Sequence, residues 1–239
     1  MHFLLIHGSW HGAWCWEKLA TEMKRLGHEV HAMDLPGAGT RFQEARSVTF
    51  EEIQACIADA IQSLPKPLRV VAHSSAGMTS AEVLETYADR LDRIYYISAW
   101  LPRENASLID MATSYPPTEL PALFINREDP DLTTVDPSGA KSVFYHDCTE
   151  AEQEWAASRL KPKAARPDLH KVSFQGPVHT LEKTRYVLCT KDRVVDVKTQ
   201  RDIADRFGLS PEQRIEIDAG HSPFLSRPVE LAQMMTGSA

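Results

Sequence analysis

The sequence is short of several features that would narrow its class, beginning with long hydrophobic runs. The longest early apolar run, Phe3 to Ile6, ends at His7 and is far too short to span a bilayer. No basic segment precedes it and no small-residue cleavage site follows it, so a secretory signal is not expected. The four cysteines form no C-x-x-C pair, which is typical of unpaired thiols in a reducing compartment. We therefore expect a cytoplasmic protein with no membrane partner.

The chain also lacks an excess of basic residues. Its 26 Lys and Arg residues against 33 Asp and Glu residues give a net charge of -7 at pH 7. Domains that bind nucleic acid usually carry a basic excess, so no nucleic-acid partner is expected. What is present is an ordinary globular composition of 239 residues, 43% of them hydrophobic and 25% charged. That length suggests one core plus an insertion, large enough to fold without disulfides or metals.

Short β-rich runs alternate with helical patterns over the first hundred residues. The pattern predicts strands at 2–6, 29–35, 68–72 and 93–99, with helices at 14–26, 49–64 and 75–87 between them. It resumes with a strand at 185–189, a helix at 197–207, a strand at 214–217 and a helix at 228–235. Strands joined by helical crossovers indicate a mostly parallel sheet flanked by helices, with each strand buried on both faces. The predicted fold class is α/β, with about six strands.

Between residues 101 and 183 this alternation stops. The segment holds most of the 15 prolines and one clear helical pattern, at 149–160. Because a structureless loop of this length is improbable in a compact domain, we predict an inserted cap at 101–183 between core parts 1–100 and 184–239. Aromatic side chains are frequent in it and would supply an apolar pocket: Tyr115, Phe124, Phe144, Tyr145, Trp155 and Phe174.

The strongest local signal is a strand that feeds a tight turn and then an amphipathic helix, around Ser74. A nucleophile elbow needs small residues two before and two after the serine, because the turn brings backbones close together. Ala72 and Ala76 fill those places, where glycine is usual. Choosing Ser75 as the nucleophile would put His73 at a crowded position, so the register favours Ser74. A serine that only caps the next helix is the alternative interpretation.

A serine nucleophile needs a base, because its hydroxyl barely ionises near neutral pH. His221 follows the last predicted strand at its carboxyl end, the edge where open α/β sheets bind ligands. Asp192 follows the strand at 185–189 and would orient the imidazole, with Asp218 and Asp196 as competing acids. Serine, acid and histidine thus lie beyond three different strands, in the chain order of α/β-hydrolases.

Acyl transfer also requires hydrogen-bond donors for the oxyanion. One is expected from the backbone N–H of Ser75, directly after the nucleophile, and the second from the loop after the first strand, at Ser9. An ordinary strand-to-helix turn with a glycine is compatible with the same residues. His7 and His11 in this loop suggest a metal pair, but no third-ligand motif accompanies them. No metal and no cofactor is therefore expected.

The motifs together resemble one branch of the α/β-hydrolases, the plant methylesterase and hydroxynitrile lyase group with its bacterial relatives. The similarity covers nearly the whole chain and begins with the element H-G-x-x-H-G-x-W at 7–14. It continues through 33–37 and the serine turn, and it closes with 186–192 and 220–223. The alanine two residues before the serine departs from the glycine that is more common there. The resemblance implies a compact α/β-hydrolase fold with a cap over the serine.

The resemblance also implies roles for individual residues. Ser74, Asp192 and His221 match the catalytic triad of the family, and Ser9 and Ser75 match its oxyanion donors. A substrate pocket is expected beside them, with a small ester as the partner molecule and a homodimer as the assembly considered. The residues expected to line that pocket are Gly8, Trp100, Leu101 and Trp155.

The resemblance does not decide the reaction by itself. In this family, cyanohydrin cleavage is associated with a threonine after the strand histidine and a lysine directly after the catalytic histidine. This chain has Gly8 and Ser222 there, and serine cannot supply the charge that stabilises departing cyanide. We therefore expect a serine hydrolase that cleaves small carboxylic esters through an acyl-enzyme. A lyase or another non-hydrolytic enzyme on this scaffold, and a receptor-like protein with little turnover, stay open as alternatives.

Overall fold

Strands and helices alternate along the chain as the sequence predicts, except between the fourth and eighth strands. The computed structural model of the protein describes residues 1–237; residues 238 and 239, at the end of the predicted second core part, lie outside this range. The strands are β1 (His2–Ile6), β2 (Glu29–Met33), β3 (Leu68–His73), β4 (Leu91–Ile97), β5 (Phe124–Ile125), β6 (Leu132–Val135), β7 (Lys163–Ala164), β8 (Thr184–Cys189) and β9 (Arg214–Ile217). The helices are α1 (Glu17–Arg25), α2 (Phe50–Ser63), α3 (Ala76–Thr86), α4 (Leu108–Thr113), α5 (Pro137–Phe144), α6 (Glu150–Ala157), α7 (Val197–Arg206), α8 (Pro223–Ser226) and α9 (Pro228–Thr236).

The central sheet is parallel and has six strands in the order β2-β1-β3-β4-β8-β9. From β1 the chain first moves to one side, to β2, and then crosses to the other side, to β3. Ile6 accordingly pairs with Met33 on one side and with Ala72 on the other. Connections that diverge in this way leave a crevice at the carboxyl ends of β1 and β3, the usual ligand site of an open α/β sheet. The predicted fold class, with about six strands, is confirmed.

Burial differs between the middle of the sheet and its edges. Most residues of β1, β3 and β4 are buried, as their continuous apolar runs predict. The expectation that every strand is buried on both faces is wrong for β2, where Glu29 and Ala32 are exposed. It is also wrong for β9, where Glu216 is exposed. Both are edge strands, so neighbouring elements cover them less completely.

Local capping explains where several helices begin. Thr49 precedes α2: its hydroxyl accepts from the backbone N–H of Glu52, whose carboxylate accepts from the N–H of Thr49. Ile57 and Ile61 then lie on the buried face of the helix, as their spacing predicts. The single helix predicted at 14–26 is instead a short 3₁₀ turn over Ala13–Trp16 followed by α1. None of the helices within residues 1–237 combines the length and apolar character needed to cross a membrane.

The segment between β4 and β8 has its own small elements. Strands β5, β6 and β7 form an antiparallel sheet, and the same segment contains α4, α5 and α6. The predicted helix at 149–160 is α6, which begins after a capping box at Thr149 and Glu152. The sequence pattern did not predict the strands, because runs of two to four residues are too short to show a period of two.

Candidate active site

Ser74 lies at the tight turn between β3 and α3. Its φ of 54° is in the left-handed region, which is uncommon for a residue other than glycine. Its N–H donates to the carbonyl of Ile97 at 3.1 Å, and its own carbonyl accepts from the N–H of Trp100 at 3.0 Å. A Cβ on Gly77 would lie 2.3 Å from the Trp100 carbonyl oxygen, so this close approach requires glycine. The strained turn is therefore held by the loop after β4.

Ser74, His221 and Asp192 form one chain of hydrogen bonds. The Nε2 atom of His221 is 3.2 Å from the Ser74 hydroxyl oxygen, and its Nδ1 is 2.8 Å from Oδ2 of Asp192. The three residues are buried, and they follow β3, β9 and β8 at the same edge of the sheet. Because an ionised carboxylate only accepts hydrogen bonds, the Asp192 contact places the imidazole proton on Nδ1. Nε2 then presents its lone pair to the serine hydroxyl.

Asp192 is held by a shell of donors. Its Oδ1 accepts from the backbone N–H groups of Val194 at 2.6 Å and Val195 at 3.0 Å. Its Oδ2 accepts from the hydroxyl of Ser98, which is fully buried and also lies 3.4 Å from Nδ1 of His221. Sequence reasoning missed Ser98, although it directly follows β4 at the same carboxyl edge. These contacts fix the carboxylate in the position from which it orients the imidazole.

The competing acids are engaged elsewhere. Asp218 is exposed and accepts from the ammonium of Lys191 at 2.8 Å. Asp196 caps α7 and accepts from the backbone N–H groups of Lys198 and Thr199. Within residues 1–237, neither carboxylate shows a contact with His221. The geometry therefore brings Asp192, not its competitors, to the histidine.

Three other histidines near the site are buried and hydrogen-bonded to the backbone. His73 donates from Nε2 to the carbonyl of His221 at 2.9 Å, and burial holds its pKa well below 6.5. His7 donates to the carbonyl of Gly8 and accepts from the N–H of Leu35, and burial lowers its pKa as well. His11 donates to the carbonyl of Ser9, and burial lowers its pKa to about 3. All three are therefore neutral at pH 7.

The two predicted oxyanion residues lie side by side next to Ser74. The Ser9 hydroxyl donates to the Ser75 hydroxyl oxygen at 2.9 Å, although the residues are 66 positions apart. Both line the same cavity as Ser74. Gly8 allows the loop after β1 to lie close to the serine turn, because a Cβ at position 8 would be only 2.8 Å from the Cβ of Ser74. In residues 1–237, no group of three or more His, Cys, Asp or Glu side chains is arranged to hold a metal ion.

A cavity of about 390 Å³ lies over the serine. It is closed on one side by core residues, including Trp100, Val194 and Val195. Its other wall comes from the segment between β4 and β8, with side chains that are largely apolar: Leu108, Ile109, Tyr115, Leu120 and Phe124. A mostly apolar cleft with a few convergent polar groups is the usual form of a small-molecule site.

The other predicted pocket residues lie outside this cavity. Gly8 borders a smaller neighbouring cavity of about 60 Å³, together with Ser9. Leu101 lines a different cavity, on the side of Phe174 and Phe207. Trp155 packs edge-on against Trp14, with 5.4 Å between the ring centres, and is not among the residues that line the cavity over the serine. Of the four predicted pocket residues, Trp100 lines the cavity over the serine, and Gly8 lies against Ser74 without lining that cavity.

Comparison with known proteins agrees with this architecture. A model of the alpha/beta hydrolase family matches residues 3–234, so the chain belongs to that family. Methylesterase 10 of Arabidopsis thaliana is 28% identical over 254 residues, covering 98% of this chain and 90% of the relative. Norfluorocurarine synthase 1 of Strychnos nux-vomica is 26% identical over 257 residues, covering 98% and 93%. The solved structure of polyneuridine aldehyde esterase superposes with a TM-score of 0.84 at 26% identity, covering 99% and 98%.

These similarities place the chain within the family more closely. The predicted resemblance to the plant methylesterase branch is confirmed, and the esterase names of these relatives support an enzyme of the carboxylesterase type.

Proposed function

We propose that the protein hydrolyses small carboxylic esters through an acyl-enzyme formed on Ser74. The observation that carries this proposal is the hydrogen-bonded chain from Ser74 through His221 to Asp192 at the base of an apolar cavity. As the Ser74 oxygen attacks the ester carbonyl, Nε2 of His221 takes the hydroxyl proton. Asp192 stabilises the imidazolium that forms.

The negative charge that develops on the carbonyl oxygen needs donors that are already in place. The backbone N–H groups of Ser9 and Ser75 would supply them, since both residues border the cavity beside Ser74. The C–O bond of the ester then breaks, and the departing alcohol receives the proton from Nε2 of His221. A water molecule, deprotonated by the same nitrogen, attacks the acyl carbon. The bond to Ser74 then breaks, the acid is released, and the serine oxygen regains its proton from Nε2 of His221.

We further propose that residues 101–183 act as a cap that selects the substrate. This segment supplies the outer wall of the cavity, including Ile109, Tyr115 and Phe124. A cavity of about 390 Å³ with apolar walls favours a small ester with an apolar body. The names of methylesterase 10 and polyneuridine aldehyde esterase support ester substrates. The cytoplasmic location, the homodimer and the absence of a nucleic-acid partner stay predictions.

The non-hydrolytic alternative is less consistent with the site. A threonine side chain at position 8 would collide with the Cβ of Ser74, which is 2.8 Å from where a Cβ would lie. Ser222 follows His221 and is buried, and its hydroxyl brings no positive charge to a departing anion. Norfluorocurarine synthase 1 is named as a synthase and not as an esterase, so the test also includes an assay for a non-hydrolytic reaction, cyanide release from cyanohydrins.

The test is a panel of methyl, aryl and lactone esters assayed with the wild type, Ser74→Ala and a control. Ser158→Ala is the matched control, because Ser158 is an exposed serine at the end of α6. We expect wild-type turnover with an initial burst, the same turnover in the control, and loss of turnover in Ser74→Ala with unchanged folding. Wild-type turnover in Ser74→Ala would contradict the proposal, as would cyanide release from cyanohydrins without ester cleavage.

A further inference from the structure

We propose that Lys163 is a positioning residue for the oxyanion hole, acting with Asp168 through the hydroxyl of Ser9. This inference rests on the proposed ester hydrolysis and deepens it. Lys163 lies on β7, far along the chain from the residues of the candidate triad. It belongs to no sequence motif of the site.

A continuous chain of hydrogen bonds joins Lys163 to both proposed oxyanion residues. The ammonium of Lys163 donates to the Ser9 hydroxyl oxygen at 3.0 Å, and the Ser9 hydroxyl donates to the Ser75 hydroxyl oxygen at 2.9 Å. A protonated lysine has donors only, so the direction of this chain is determined from the lysine onward. The orientation of Ser9 is thereby coupled to a charge from the proposed cap.

Lys163 is also paired with Asp168 in a poorly hydrated place. The two side chains form an ion pair and keep 15% and 14% of their surface exposed. Asp168 lines the main cavity together with Ser74, and both charged residues border the smaller cavity beside Ser9. Removing one partner of such a pair leaves the other charge poorly solvated. Loss of the lysine alone would leave a carboxylate facing the place where the oxyanion forms.

The loop that carries Ser9 needs outside support. Trp10 has a φ of 63°, a strained conformation for a bulky residue. Its indole N–H donates to the carbonyl of Thr133, and its carbonyl accepts from the N–H of Lys161, each at 3.1 Å. The Tyr145 hydroxyl, also from the proposed cap, donates to Nε2 of His11 at 2.8 Å. Tyr145 is the donor because the neutral His11 carries its proton on Nδ1, from which it donates to the carbonyl of Ser9.

These contacts assign Lys163 a distinct place among the residues that hold the loop. The other cap contacts reach the backbone or side chains of the two residues after Ser9. Lys163 reaches the side chain of Ser9 itself and brings a full charge. Its loss should therefore reduce kcat more than it changes KM for a neutral ester, because the oxyanion exists only after attack begins.

The test measures kcat and KM for Lys163→Met, Lys163→Arg, Asp168→Asn and the double variant Lys163→Met with Asp168→Asn. Lys161→Met is the matched control, since its side chain is exposed and its contact to the loop is through the backbone. We expect kcat of Lys163→Met to fall about tenfold or more with little change in KM. This loss should be smaller than the loss of about 100-fold that follows removal of an oxyanion donor itself. Lys163→Arg should keep most of the activity.

The double variant separates charge from structure. Removing the stranded carboxylate should recover the part of kcat lost to its charge, and the loss that remains in the double variant measures the missing donor to Ser9. Wild-type kcat in Lys163→Met would overturn the inference, as would a loss of activity that comes entirely from a raised KM. If the wild type cleaves no ester, both this inference and the proposed function are wrong. If the wild type cleaves esters and Ser74→Ala does not, the proposed function holds and the lysine variants test only the role of Lys163.

Discussion

Acid should destabilise this protein, because it buries histidines that stay neutral. His11 is 2% exposed, and burial lowers its pKa to about 3; His73 is fully buried, with a pKa well below 6.5. In the unfolded chain both would titrate near 6.5, so below that pH the unfolded state binds protons that the folded state does not. Stability is therefore full above pH 6.5 and falls as the pH drops towards the folded pKa. At pH 5 the loss from His11 is about 2 kcal/mol, from RT ln(1 + 10^1.5), and His73 contributes in the same direction.

The assay is urea unfolding at about pH 7.5 and about pH 5, comparing the difference in unfolding free energy between the two values. His11→Gln removes one titrating group, so its difference should be smaller than that of the wild type by about 2 kcal/mol. His179→Gln is the matched control, because His179 is exposed, and it should behave like the wild type. A general loss of stability in His11→Gln lowers the unfolding free energy equally at both pH values, so it cancels in the difference between them. If His11→Gln keeps the whole pH dependence, the burial argument is wrong.

Three further predictions concern the site and its surroundings. Ser98→Ala should lower kcat about tenfold, which corresponds to a barrier higher by about 1.4 kcal/mol, because the Ser98 hydroxyl orients the Asp192 carboxylate. KM should stay unchanged. A wild-type kcat in steady-state kinetics would contradict this prediction. Gly8→Ala should reduce ester turnover at least about 100-fold, because the new Cβ would lie 2.8 Å from that of the nucleophile; wild-type turnover would refute it. Phe124→Ala should raise KM for apolar esters, because Phe124 lines the cavity. Trp155→Ala should lower the melting temperature and leave KM unchanged, because Trp155 packs against Trp14. The reverse pattern would show that the cavity is assigned wrongly.

The fold could be predicted because the central strands carry a strong signal. β1, β3 and β8 are short apolar runs bounded by turns, and they alternate with helices whose apolar face has the expected period. The arrangement of the candidate triad also follows from the sequence, because residues just beyond parallel strands must meet at one edge of the sheet. Ser74 and His221 could be placed there before any distance was known.

The rest depends on contacts that no local pattern encodes. Lys163 reaches Ser9 only because the antiparallel sheet of the segment between β4 and β8 lies against the loop after β1, and its strands are too short to show periodicity. Trp155 has an aromatic side chain suited to a pocket, but packing against Trp14 decides its place. Ser98 has an ordinary sequence context and becomes significant only through the carboxylate beside it.

The central claim is that Ser74 is the nucleophile, and covalent labelling tests it most directly. A fluorophosphonate reacts with an activated serine and leaves a stable adduct that mimics the tetrahedral intermediate. Digestion and mass spectrometry should find the adduct on Ser74, and no adduct on the neighbouring Ser75 or on Ser98, with labelling lost in His221→Ala because the base is gone. An adduct on Ser75 or Ser98, or labelling at Ser74 that persists at the wild-type rate without His221, would contradict the account.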